Sequence, residues 1–285
     1  MGLNKNTNIE KQKVTIGKVI AQVFCIIMLV IWIYPLYKII EISLSNNGFE
    51  NYSKVLFEAD SFTKAKGFIF DIANFWIYLK NSVVVTMIDM ILVLSITLLA
   101  AYAFSKMTFK GKEVLYILTL VGMMMPAAGF IVPYFTSAKA IGLLNTKYCL
   151  IGPHVAASIP MSMMIMRNSI DEINDEMIEA SVIDGCSKWK IFIKMIIPLS
   201  KPALATSLIF AFINSWNDYI LPLVMVNKES EMTLTLLPQK YTAWTGVSQT
   251  GTIFACLVLV SIPVFLIYLF AQKYMQVGIT AGTIK

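Results

Sequence analysis

The sequence predicts an all-α integral membrane protein of six transmembrane helices in one compact domain. Three observations lead there. Of 285 residues, 57% are hydrophobic and 14% charged, and the mean hydropathy is +0.70; a soluble domain of this length cannot hide so much apolar surface from water. Six runs stay apolar over the roughly 20 residues a helix needs to cross a bilayer. Lys and Arg collect in alternate connecting segments, the pattern that orients membrane helices with positive charge inside.

In chain order, the sequence divides into an N-terminal segment (1–16), a membrane domain (17–272) and a tail (273–285). The spans lie near 17–40, 82–105, 114–137, 148–166, 203–226 and 252–272. Before the first, Lys11, Lys13 and Lys18 precede the apolar run from Val19 to Tyr34, as in a signal peptide. Its exit, Tyr34-Pro35-Leu36-Tyr37-Lys38, has no small-residue cleavage pattern, so the helix is expected to stay. With the N-terminus inside, Lys5, Lys106, Lys110, Lys112, Arg167, Lys188, Lys190, Lys194, Lys201, Lys273 and Lys285 are all cytoplasmic, and so are both termini. The longest outer loop mixes Lys54, Lys64, Lys66 and Lys80 with Glu50, Glu58, Asp60 and Asp71.

Polar residues inside the spans are few. Ser82, Thr86, Asp89 and Thr97 line one face of the second span, and Ser207, Asn214 and Asp218 line one face of the fifth, with Asn217 beside them. An Asp left in lipid costs about 2.5–3.5 kcal/mol on insertion scales, so these groups should face the bundle interior or an aqueous pathway. For Asp89, Asn214, Asn217 and Asp218, hydrogen bonding between helices is the reading favoured over contact with a solute. His154, beside Pro153, reads as a structural or rim residue; a proton relay would need a second titratable group, and only Asp89 or Asp218 could serve. Pro126, Gly129 and Pro133 in the third span, with Gly152, Pro153 and Pro160 in the fourth, predict kinks or breaks.

The loop between the fourth and fifth spans is more than a connector. Ser169-Ile170-Asp171-Glu172 has the capping-box pattern, so a short helix is expected from there to Asp184. Gly185 can end it in a left-handed conformation, and Ser187 can cap an amphipathic segment carrying Trp189, Phe192, Ile193 and Ile196 up to Pro198.

Several chemistries lack their residues. No GxxxxGK[ST] phosphate cradle occurs: Gly17-Lys18 and Gly111-Lys112 lack the upstream Gly and the following Ser/Thr. There is one histidine, and the four cysteines (Cys25, Cys149, Cys186, Cys256) are far apart in sequence. Neither a catalytic triad nor a metal cluster is expected, so no catalytic or metal residue is assigned and the chain is not expected to be an enzyme. The net charge of +6 comes without an aromatic-interleaved basic patch; it suits anionic lipid, and nucleic-acid binding is not expected.

The stretch Glu179-Ala180-Ser181-Val182-Ile183-Asp184-Gly185, followed by Ile196-Ile197-Pro198-Leu199-Ser200-Lys201-Pro202, resembles the EAA motif of binding-protein-dependent ABC transporter permeases. Ser181 stands where that motif has its second Ala. Ala101-Tyr102-Ala103-Phe104-Ser105-Lys106, Met123-Met124-Met125-Pro126, Gly142-Leu143-Leu144-Asn145-Thr146 and the segment from Phe210 to Asp218 are similar to the carbohydrate-uptake branch, the MalG-like permeases of maltose and multiple-sugar systems. The tail from Phe270 looks like that family's ending. The resemblance implies a permease subunit in a bacterial-type cell membrane that imports a sugar or oligosaccharide. It implies a homologous sister permease (a heterodimer), two ATPase subunits holding ATP and Mg, and an extracytoplasmic sugar-binding protein; this chain itself would bind no cofactor. Glu179, Ala180, Ser181, Asp184, Gly185 and Pro198 would couple to the ATPase, and the tail at Gly278 and Gly282 would touch it. Two rivals remain open: an ion-driven secondary transporter, which predicts ionisable residues at the membrane midplane, and a scaffold that binds partners without moving solute.

Overall fold

The computed structural model describes residues 16–58, 74–241 and 249–280. Among them the chain is helical, without strands. α1 (Ile16–Ser43) is followed by a short α2 (Glu50–Phe57) and a long α3 (Asn74–Lys106). α4 (Lys112–Met124) and α5 (Ala127–Ala140) come next, then α6 (Lys147–Asp171), α7 (Asp175–Ile183), α8 (Lys188–Leu199) and α9 (Lys201–Trp216). α10 (Ile220–Met225) is short, and α11 (Thr250–Thr280) closes the chain. α1, α3, α6 and α11 are each long and apolar enough to cross a membrane. The pairs α4/α5 and α8/α9 pass the same test together, which brings the number to six if each pair is one span.

Both pairs are sharply bent, and local chemistry supplies the reason. α4 and α5 meet at 100°. Met125 and Pro126 are extended there, with ψ of 131° and 127°, because the proline ring pushes its predecessor out of the helical region. α8 and α9 meet at 75° around Ser200, between Pro198 and Pro202. Within α8, residues Phe192–Ile196 form a π turn. The fifth span does not run on to 226: α9 stops at Trp216, and residues 217–219 separate it from α10. α6, by contrast, runs unbroken over Pro160.

The buried stripe of α3 comprises Asn81, Ser82, Val85, Thr86, Asp89, Val93, Thr97 and Ala101 at helical spacing. It packs on α6 and α9, and α9 packs in turn on α11. The facing residues are small or polar, as expected where lipid removes the hydrophobic drive between helices and close backbone approach replaces it. At the end of the bundle that carries α7, Leu98, Ala101, Met166, Ile170, Ile173, Ile191, Phe192 and Ile196 form one apolar cluster. At the opposite end, Val55, Phe75, Tyr78, Phe212, Trp216, Leu234 and Leu237 form another. α1 touches mainly α11 and buries none of its span, so its apolar surface faces outward on nearly all sides.

The segment 226–241 folds back over the opposite end. Asn81 donates to the carbonyls of Ser230 and Met232, both at 2.9 Å, and the Leu234 amide donates to Ser82 Oγ at 2.8 Å. Lys147 Nζ pairs with Glu231 at 3.1 Å. The Gly142–Thr146 turn joins the same layer: Gly142 and Asn145 have φ of 73° and 65°, and Asn145 Oδ1 accepts from the Asn227 amide at 3.0 Å. That left-handed pair explains why Gly and Asn occupy this turn.

Candidate functional site

Two groupings stand out, one at the α7 end and one inside the bundle. At the α7 end, the helix expected from Ser169 begins later. Ser169 and Asp171 belong to α6, whose ladder continues through Glu172 N–H donating to the Asn168 carbonyl at 3.3 Å. The cap is Asn174, extended at ψ 129°, whose Oδ1 accepts from the Glu176 amide at 3.0 Å. Ile170 and Ile173 are buried in the apolar cluster, and this anchoring carries α6 past the local capping signal.

α7 buries none of its residues. Glu179, Ala180, Asp184 and Gly185 are exposed and Ser181 is half-buried, so five of the sequence-assigned residues lie together on a protruding turn. Gly185 has φ 78°, the left-handed end expected of it, and a Cβ there would meet nothing within 4 Å. Ser187 caps α8 by accepting from the Lys190 amide at 3.3 Å. Exposed apolar side chains surround the acidic ones: Ile183 is 86% exposed and Trp189 64%. Between α7 and α8 runs a groove of about 360 Å³ lined by Met177, Ser181, Cys186, Lys190, Lys194 and Pro198, which brings Pro198 to the same surface.

The protrusion is tied to the bundle by charge. Lys106 Nζ, at the end of α3, donates to Asp175 at 2.6 Å and to the Ile173 carbonyl at 2.7 Å. Ser105 donates to Asp171. Arg167 makes a two-pronged pair with Glu113 at 2.7 and 3.0 Å and lies 4.0 Å over the Tyr116 ring. Sequence reasoning did not assign Ser105, Lys106, Glu113 or Arg167 to the site. The local signal was present, since Ser105-Lys106 ends one of the motif-like segments.

Inside the bundle, three ionisable side chains meet. His154 Nδ1 lies 2.8 Å from Asp89 Oδ2, and His154 Nε2 lies 2.8 Å from Asp218 Oδ2. Ser215 donates to Asp89 Oδ2 at 2.6 Å, and Thr86 and Ser215 share a 3.2 Å hydrogen bond. Asn214 donates to Ser158 Oγ at 3.0 Å and to the His154 carbonyl at 3.3 Å. The second oxygen of Asp218 accepts from the Ile220 and Leu221 amides, and Thr235 donates to the Asp218 carbonyl at 2.7 Å. Asp89 and Asn214 are therefore bonded between helices, and Asp218, in the link between α9 and α10, is bonded to His154 on α6. Asn217 is apart: it lines a cavity of about 450 Å³ with Tyr219, Thr235, Gln239 and Leu257. Gly278 lies in the last turns of α11, and Gly282 lies outside the described residues. No three acidic, His or Cys side chains converge as metal ligands among the described residues.

Residues 93–280 match the family described as binding-protein-dependent transport system inner membrane component. A putative ABC transporter permease of Caldicellulosiruptor sp. (strain Rt8B.4) is 37% identical over 74% of this chain and 77% of its own. The trehalose/maltose transport system permease of Thermococcus litoralis is 31% identical over 74% and 76%. The diacetylchitobiose uptake system permease of Streptomyces coelicolor is 30% identical over 75% and 71%. Among solved structures, a bacterial ABC transporter involved in the import of the acidic polysaccharide alginate superposes with TM-score 0.70 at 23% identity, over 90% of this chain and 97% of that one, a likeness of fold. The family match spans α6 to α9 with the protruding α7, and the chain belongs to the binding-protein-dependent transport system inner membrane components.

Proposed function

We propose that this chain is the permease subunit of an ATP-driven importer that translocates a carbohydrate delivered by an extracytoplasmic binding protein. The observation that carries the reading is the protruding α7 turn. An acidic helix with small residues and bare apolar side chains, held at a fixed angle by Lys106, suits insertion into a cleft of a second protein. A helix lying on lipid favours Lys and Arg on its polar face. The relatives' names, trehalose/maltose and diacetylchitobiose systems among them, support a saccharide cargo.

In this reading the α7 end is cytoplasmic, and so are both termini. A sister permease completes the pathway, two ATPase subunits hold ATP and Mg, and the tail around Gly278 and Gly282 reaches the ATPase pair. Glu179 to Gly185 transmit ATP-driven closure to the bundle, whose two access states the binding protein and ATP select. One observation favours an ion-driven carrier instead, the Asp89–His154–Asp218 cluster, because buried ionisable groups mark proton paths in such carriers.

Reconstitution with the sister permease, ATPase and binding protein separates the two. Uptake of labelled maltose, trehalose or diacetylchitobiose, whichever the binding protein retains, should require ATP and survive ionophores. Uptake that stops with the ion gradient and ignores ATP would overturn the proposal.

A further inference from the structure

We propose that Asp89, His154 and Asp218 form a proton-binding site, which in this conformation holds one proton more than a neutral imidazole and two carboxylates, and which thereby ties the α9–α10 junction to α6. The argument is a count of donors and acceptors. An ionised carboxylate only accepts hydrogen bonds, and a neutral imidazole has one N–H and one bare lone pair. Both ring nitrogens of His154 lie 2.8 Å from carboxylate oxygens, on opposite edges of the ring. With a neutral ring and two carboxylates, one of these contacts would set lone pair against lone pair. Two bonds require one added proton, carried either by the ring or by one of the carboxyls, and the proton belongs to the cluster as a whole.

The surroundings support that count. The His154 and Asp89 side chains are 4% and 1% exposed. Asp89 Oδ1 is buried with no hydrogen-bond partner among the described residues. Two full negative charges facing a neutral ring at such a place would carry a heavy desolvation cost, and the added proton lowers the net charge of the cluster from two to one. Among the described residues no other charged group is paired with the cluster; in the 226–241 segment, which reaches Asp218 through Thr235, Lys240 pairs with Glu229 and Glu231 with Lys147. On α3, Lys80 and Lys106 lie near the two ends; on α6, Lys147 pairs with Glu231 at the first residue, and Arg167 and Asp171 lie toward the last. α4 brings Glu113 to Arg167, α9 carries only Lys201 at its start, and α10 carries no charge. Ser215, Thr86, Ser158 and Asn214, the remaining polar neighbours, are neutral.

The consequence is mechanical. Asp218 sits in the only three residues between α9 and α10, and its other oxygen holds the first amides of α10. Losing the proton turns one of the two His154 contacts repulsive. The contact to the partly exposed Asp218, at 17%, is the one that can open into water, because Asp89 is enclosed. Proton occupancy and the position of this junction are then linked equilibria.

His154 is the single histidine, so the full-length chain in nanodiscs, with 15N-labelled histidine, yields one pair of ring resonances. At neutral pH we expect both nitrogens protonated, or a neutral ring together with an infrared carboxylic-acid band that disappears in Asp89→Asn or Asp218→Asn. A neutral ring with both carboxyls ionised would overturn the site. For the linkage, a spin label at position 217 should become several-fold more mobile as pH is raised through the loss of the proton, while His154→Gln should not respond. Equal pH response in the two backgrounds would overturn it. Neither measurement involves transport, so both are independent of the cargo assignment.

Discussion

Lys106 Nζ, at the last residue of α3, sits 2.6 Å from Asp175 and 2.7 Å from the carbonyl of Ile173, joining a membrane helix directly to the base of α7. The Lys106 side chain is 7% exposed and that of Asp175 76%. The two partners are therefore not equivalent.

Asp175→Asn should cost about 0–1 kcal/mol, as expected for an exposed ionic partner. Lys106→Met leaves the Ile173 carbonyl unpaired at the protein edge and should cost about 1–3 kcal/mol. Because that cost falls on the orientation of α7, Lys106→Met should lower ATPase stimulation by the assembled transporter while membrane insertion is retained. Equal stimulation in the two variants would show that the α3 tether does not orient α7.

At Gly185 the left-handed φ of 78° and the open space around it separate two effects. A β-branched residue pays a backbone cost of about 1–2 kcal/mol there, and Asn pays less. Gly185→Val should therefore lose more thermal stability than Gly185→Asn in the isolated chain. Gly185→Asp and Glu179→Lys should both reduce co-purification of the ATPase, since they alter bulk and charge on the surface offered to it. Undiminished association and uptake in both would remove the docking role of α7.

Glu231 makes a pH prediction at the opposite end. Burial pushes its carboxyl up, but the side-chain and backbone bonds from Lys147 outweigh that and leave it below the ordinary value of 4.5. A carboxyl depressed on folding stabilises the fold above its ordinary value, and the contribution is lost as pH falls through the folded value. In melting curves from pH 7 down to about 3, wild type should lose more stability than Glu231→Gln, and the two should converge at the acid end. Parallel curves would mean that the Lys147 pair adds nothing.

Gly251 packs α11 against the α1–α2 corner. A Cβ at this position would come 2.5 Å from Asn51 Nδ2 and 3.1 Å from the Ser45 carbonyl. Asn51 cannot easily retreat, because the same amide donates to the Ser43 and Ser45 carbonyls at 2.9 and 3.1 Å. Gly251→Ala should destabilise by about 1–3 kcal/mol. Combined with Asn51→Ala, the loss should be smaller than the sum of the two single losses, which a double-mutant thermal series would read directly.

Length and hydrophobicity alone determined that the chain crosses a membrane several times, because the bilayer accepts only long apolar helices with every backbone group paired. Local backbone rules likewise made the Pro126 break, the left-handed Gly185 and the Ser187 cap legible, since each depends on a few consecutive residues. The cap of α7 was misplaced at Ser169 because Ser169 and Asn174 both satisfy the local rule. Burial of Ile170 and Ile173 in a cluster drawn from α3, α6 and α8 decided between them. The polar stripe Ser82, Thr86, Asp89 and Thr97 foretold the buried face of α3, whereas in a mostly apolar span such as α11 no periodicity separates core-facing from lipid-facing positions. Only the tertiary structure brought Asp89, His154 and Asp218 together across 65 and 64 residues of chain. The packing of α3, α6 and α9 sets that meeting, and no local signal encodes it.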